Sequence, residues 1–221
     1  MKKLCAVALA GLMAFQAAPA GARPVSYPQG WTFMQMNEAD ANWLHLHYTT
    51  DPRTSIGLKI ENQGYGDHIF VGGQYNRLLK RWNAPSSQAN TYLKLGLGVA
   101  DGDFNQNQNQ NITKAAGFVR FAADWETRRW FTSADMNVYA REGKTMTAQK
   151  ARLGVAPYVA DFGALHTWLM VEGRWTQNRD ADQGEDAFTI TPLVRIFKGS
   201  TLLEAGYSSN NEPLFNFVYR F

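Results

Sequence analysis

Of the 221 residues only one is a cysteine, Cys5, and it lies near the N-terminus. The remainder has no thiol, so disulfides and cysteine-held metals are excluded from it. Long apolar runs are equally scarce. The stretch from Leu4 to Phe15 is the longest, and it falls short of the roughly 20 residues a membrane-spanning helix needs. Charge of one sign is missing as well. The formal charge is +3, and Lys2 and Lys3 account for two of the basic residues, which leaves 20 basic against 19 acidic. So even a balance gives no footprint for a polyanion, and no nucleic-acid partner is expected. The sequence pI of 9.0 adds little to this.

Aromatic residues, by contrast, are plentiful: seven Trp, nine Tyr and 13 Phe. Their order is most regular at the end of the chain. Phe215, Phe217, Tyr219 and Phe221 recur at every second residue, with Asn216, Val218 and Arg220 between them. A strand sends alternate side chains to opposite faces, so the four aromatics share one face. The pattern resembles the last strand of Gram-negative outer-membrane β-barrels, which typically end on phenylalanine. That resemblance implies a terminal strand read by the barrel-insertion machinery, and a location among outer-membrane lipid and lipopolysaccharide. The segments Leu78–Asn83 and Glu204–Ser208 are also similar to those of a small-barrel family, which implies no functional residues.

The N-terminal segment agrees with export. Met1-Lys2-Lys3 is a basic start, an apolar stretch follows, and Ala18-Pro19-Ala20 is a small-x-small cleavage signal, with Ala20-Gly21-Ala22 as a second. This is the layout of a secretory signal peptide, expected to span 1–20 with cleavage after Ala20 or Ala22. Cys5 comes too early for lipid modification. A mature membrane protein of this composition has to be a barrel, because only helices and closed barrels satisfy their backbone groups in lipid.

Residues 21–221 read as short alternating segments separated by turn signals. Twelve are expected: 31–37, 42–50, 55–62, 68–82, 90–100, 114–126, 130–141, 149–160, 165–177, 187–198, 201–208 and 213–221. The fold class is therefore all-β, a single antiparallel transmembrane barrel of 12 strands, with 10 as the alternative. The fourth segment exceeds the 9–11 residues of a spanning strand, and its alternation slips at Leu78-Leu79, which suggests a bulge. Compact turns at 51–54, 84–88, 127–128, 161–163 and 199–200 alternate with longer polar connections at 38–41, 63–67, 101–112, 142–148, 178–186 and 209–212. Short periplasmic turns and longer external loops are the rule for such barrels. The Asn/Gln tract of 103–111 reads as one of the external loops.

A Lys or Arg facing lipid near the midplane costs about 2–4 kcal/mol, so the charged face of each strand should point inward. This places Lys59, Glu61, Lys94, Arg120, Asp124, Asp135, Lys150, Arg152, Glu172, Arg174, Arg195, Glu204 and Arg220 in the lumen, eight basic and five acidic. Such charges either pair to fill a narrow interior or line a porin-like path for small solutes with a mild preference for anions. A smaller group stands out. Met34 and Met36 alternate on the first segment, and His45 and His47 on the second. If the hairpin register brings them together, thioether and imidazole suit a soft, copper-type metal ion. His166 and Met170 also fall on an inward face.

Signs of catalysis are weak. His45, His47, His68 and His166 are the available bases, with Ser208 and Ser209 as nucleophiles, yet no histidine neighbours these serines as an activated nucleophile requires. Gly96-Leu97-Gly98 lies within a strand, where glycine serves close packing rather than nucleotide binding. The chain is thus expected to be a channel or structural barrel and not an enzyme, with copper-type binding or lipid hydrolysis as alternatives.

Overall fold

The computed structural model describes residues 25–38, 41–63, 68–102, 113–141, 144–161, 163–178 and 187–221. The signal segment expected at 1–20 and the Asn/Gln tract lie outside these. Twelve antiparallel strands close on themselves: β1 Trp31–Glu38, β2 Ala41–Asp51, β3 Thr54–Gln63, β4 His68–Ala84, β5 Ser87–Gly102, β6 Lys114–Thr127, β7 Trp130–Arg141, β8 Lys144–Val155, β9 His166–Asn178, β10 Ala187–Lys198, β11 Thr201–Tyr207 and β12 Pro213–Arg220. Each pairs with its sequence neighbours, and β1 pairs with β12. The aromatic C-terminal strand closes the barrel: Phe33 lies opposite Tyr219 and Gln35 opposite Phe217. The Trp31 amide donates to the Phe221 carbonyl at 2.8 Å. Closure removes every sheet edge, which an open antiparallel sheet would leave as a template for aggregation.

Alternation sorts the side chains into two environments. Outside stands an apolar belt in which Leu58 is 69% and Leu97 79% exposed. Both would be liabilities in water and are the expected surface in lipid. Inside, Lys59, Glu61, Arg152, Glu172 and Glu204 are buried. The fourth strand carries the bulge at Leu78-Leu79, where pairing with β5 shifts register between Leu78 and Lys80.

One strand departs from its expected bounds. β8 runs from Lys144 to Val155 rather than over 149–160. Pro157 has no N–H to donate to a ladder, and the preceding Ala156 amide already bonds the Arg129 carbonyl at 2.9 Å. At its other end β8 takes in residues expected in a loop, with Thr145 opposite Ala140 and Met146 opposite Tyr139. β5 is likewise longer than 90–100.

The connections define two ends. The turn end holds 51–54, 84–87, 127–130, 155–166 and 198–201, together with the start of β1 and the end of β12. The loop end holds the other six connections. The described N-terminal segment is tied in at the turn end: Val25 is buried against Leu78 and Tyr92, and the Ser26 amide donates to Thr49 Oγ1 at 3.2 Å.

Candidate functional site

The lumen divides into three layers. Nearest the loop end is an aromatic layer. Phe70, Phe118 and Tyr139 are buried together with Ala100 and Ala116. Phe70 meets Phe118 and Tyr139 edge-on, at ring-centroid distances of 5.8 and 6.0 Å. Room for Phe118 comes from Gly96, where an added Cβ would fall 2.1 Å from the ring.

The waist is ionic. Lys150 and Arg174 both reach Glu38, the former at 2.9 Å. Arg152 Nε donates to Glu172 at 2.5 Å and its Nη1 to both Glu204 oxygens at 3.1 Å. Arg195 Nε donates to Glu204 at 2.7 Å, and Asn216 Nδ2 donates to the other oxygen at 2.7 Å. Beside this network Arg120 pairs with Asp135 at 2.9 Å and Lys59 with Glu61 at 2.6 Å. The ions come from β1, β3 and β6 to β11, so the network joins opposite walls. Buried charges persist only when paired, and these are paired.

Toward the turn end lies a chamber of about 620 Å³. Met34, Met36, Trp43, Phe131, Trp168 and Leu202 give it apolar walls, and six basic and three acidic side chains line it. Lys94 points into it from β5, opposite Arg120. Among the described residues no carboxylate lies within ion-pair distance of the Lys94 ammonium. Asp124 lines the same chamber and accepts from Asn90 Nδ2 at 2.6 Å. Arg220 is buried on β12, opposite Thr32. Of the 13 charged residues assigned to the lumen by parity, Lys59, Glu61, Arg152, Glu172, Glu204 and Arg220 are buried. Glu38 and Asn216 belong with them and were missed. Glu38 continues the inward series Thr32, Met34, Met36, which is the signal that identifies it.

The methionines and histidines separate. All four occupy inward positions, and Met34 lies directly opposite His45. Met36 instead faces Trp43 and is buried with Leu202 and Val218. His45 and His47 stand with ring centroids 4.5 Å apart. His166 is distant from them at the turn end, packed 6.3 Å from Phe197, and Met170 is buried with Leu193 and Leu214. The serines weighed as nucleophiles sit at the loop end and serve the β11–β12 connection. Ser208 Oγ accepts from the Glu212 amide at 3.2 Å, and Ser209 Oγ from the Ile190 amide at 3.1 Å. His68 opens β4 at that end too.

No family model and no curated protein matches the chain. Solved structures do. LpxR from Salmonella typhimurium aligns with a TM-score of 0.51 at 8% identity, over 87% of this chain and 99% of that one. The β domain of the Bordetella autotransporter BrkA aligns over 87% and 98% at 12% identity, with a TM-score of 0.46. The fold is therefore that of a closed 12-strand antiparallel β-barrel, the architecture of these outer-membrane proteins. The neighbour also corrects an expectation. LpxR is an outer-membrane lipid A deacylase, so the reading of this chain as a non-enzyme, which leaned on absent motifs, is withdrawn. At 8% identity the likeness is one of fold and transfers no residue.

Proposed function

We propose that the protein resides in the outer membrane with its turn end toward the periplasm, and that its lumen is a restricted path for small anionic solutes. One observation carries this reading: in the chamber of about 620 Å³, Arg120, Lys150, Arg152 and Arg195 are paired at the waist, while Lys94 projects from β5 with no carboxylate in ion-pair reach among the described residues. A chamber with apolar walls and a few placed polar groups is the usual form of a small-molecule site, and an excess of one charge concentrates the opposite ion. The ion network at the waist then acts as a constriction between chamber and loop end.

Planar-bilayer recording in a salt gradient tests the reading. Purified protein should give small steps with an anion-favouring reversal potential. Glu38→Gln, which loosens Lys150 and Arg174, should raise the open probability, and Lys94→Gln should move the reversal potential toward zero. A stably inserted barrel that stays silent in wild-type and Glu38→Gln forms would refute the path. Lipid hydrolysis is the second reading and draws on the LpxR neighbour. Release of acyl chains from lipid A by the same preparation, lost at one substituted side chain, would favour it.

A further inference from the structure

Two imidazoles and a thioether share the inner wall between chamber and β3, on inward positions of β1 and β2, outside the ion network of the waist. Strand alternation sends His45 and His47 inward together, where they are 2% and 0% exposed. Their rings lie side by side, 4.5 Å between centroids and 35° between planes. Met34 is the direct cross-strand partner of His45, a relation that places Cβ atoms about 5 Å apart. The His45 Nε2 is buried with no hydrogen-bond partner. A buried polar atom of this kind calls for an explanation, and an ion is one of the few available.

Lys59 is paired with His45 across β2 and β3, yet its ammonium is turned toward Glu61 at 2.6 Å. The donor set selects the ion. Among the described residues no group of three His, Cys, Asp or Glu side chains is placed to hold a metal, and the donor that the β1–β2 register sets opposite His45 is the Met34 thioether. Thioether with imidazole favours Cu(I) over the oxygen-seeking cations.

We propose that Met34, His45 and His47 form a Cu(I) site in the barrel wall. Met34 also lines the chamber, which gives the ion a route in from the turn end. Met36 is no part of the site, because its cross-strand partner on β2 is Trp43 and not a histidine, although both methionines pack on the Leu202 and Val218 cluster.

Anaerobic titration of refolded protein with Cu(I) against a coloured Cu(I) chelator tests the proposal. Wild type should withdraw one Cu(I) per barrel. Met34→Leu and His45→Gln should each weaken capture at least ten-fold, while Met36→Leu leaves it unchanged. Folding is checked for each variant by its heat-dependent gel mobility. Should His45→Gln not fold, the near-isosteric pair Met34→Leu and Met36→Leu decides the matter alone. Failure of wild type to take Cu(I) from the chelator, or the same affinity in those two methionine variants, would overturn the site. Neither result bears on the solute path, which is read by conductance.

Discussion

Glu204 is the residue on which the waist depends most, and Glu204→Gln is the sharpest test of it. The carboxylate is 1% exposed. It accepts from Arg195 at 2.7 Å, from Arg152 at 3.1 Å and from Asn216 at 2.7 Å. Glutamine keeps the size and one acceptor oxygen but removes the charge. Arg152 retains Glu172 at 2.5 Å. Arg195 loses its charged partner and keeps the face of Phe131, 4.6 Å from ring centroid to guanidinium carbon. Breaking a buried pair on one side costs about 3–5 kcal/mol. Arg195 borders the chamber, where water recovers part of its solvation, so the expected loss is about 3 kcal/mol, at the low end of that range. Equilibrium urea unfolding, followed by circular dichroism and by gel mobility, would show it as a lower midpoint at constant slope. Arg195→Met in the Glu204→Gln background should lose less than the sum of the two single changes, since the pair is coupled. As a contrast, Asp51 and Arg77 lie 4.0 Å apart with side chains 47% and 40% exposed, so Asp51→Asn should leave the urea midpoint almost unchanged. If Glu204→Gln proved as mild as Asp51→Asn, the waist would be hydrated and its ions not structural.

Two further changes probe the walls. Gly96→Ala puts a Cβ 2.1 Å from Phe118 in a packed layer and should cost about 1–3 kcal/mol in the same unfolding assay. Gly73→Ala, whose nearest contact would be 4.0 Å away, should be close to neutral, and equal losses would discredit the packing account. Ala151 is exposed on the outer face between inward Lys150 and Arg152, so Ala151→Arg in bilayers should cost about 2–4 kcal/mol, and a neutral result would mean that β8 faces the other way.

Strand alternation is a local property, and this is why so much of the barrel can be read along the chain. Leu93, Leu95, Leu97 and Val99 oppose Lys94, Gly96 and Gly98 whatever the rest of the molecule does. The pairing slip at Leu78-Leu79 is visible for the same reason. β8 shows where the method fails. Residues 156–160 are apolar enough to pass for strand, but Pro157 cannot join a ladder. Lys144 to Ala148 are polar enough to pass for loop, yet they pair with β7. A strand that continues toward the loop end no longer needs an apolar outer face, so hydropathy stops marking it before the hydrogen bonds do.

The lumen was legible as a set of residues and illegible as a set of partners, because parity says which way a side chain points and nothing about what it reaches. The β1–β2 connection shows how small the decisive difference can be. Asn37 pairs with Asn42 and Glu38 with Ala41, so the short hairpin connection expected at 38–41 is shorter still and both strands run one residue beyond their expected bounds. That extends β1 by one inward position and carries Glu38 into the lumen. There it meets Lys150, 112 residues away, at 2.9 Å. This contact crosses the interior and is set by barrel width, strand tilt and side-chain length, none of which a single strand encodes. The same holds for Arg152 and Glu204, on β8 and β11. A surplus of basic residues can be counted from the chain, but that Lys94 faces the chamber with no carboxylate in ion-pair reach among the described residues follows only from how the acids are paired across the lumen.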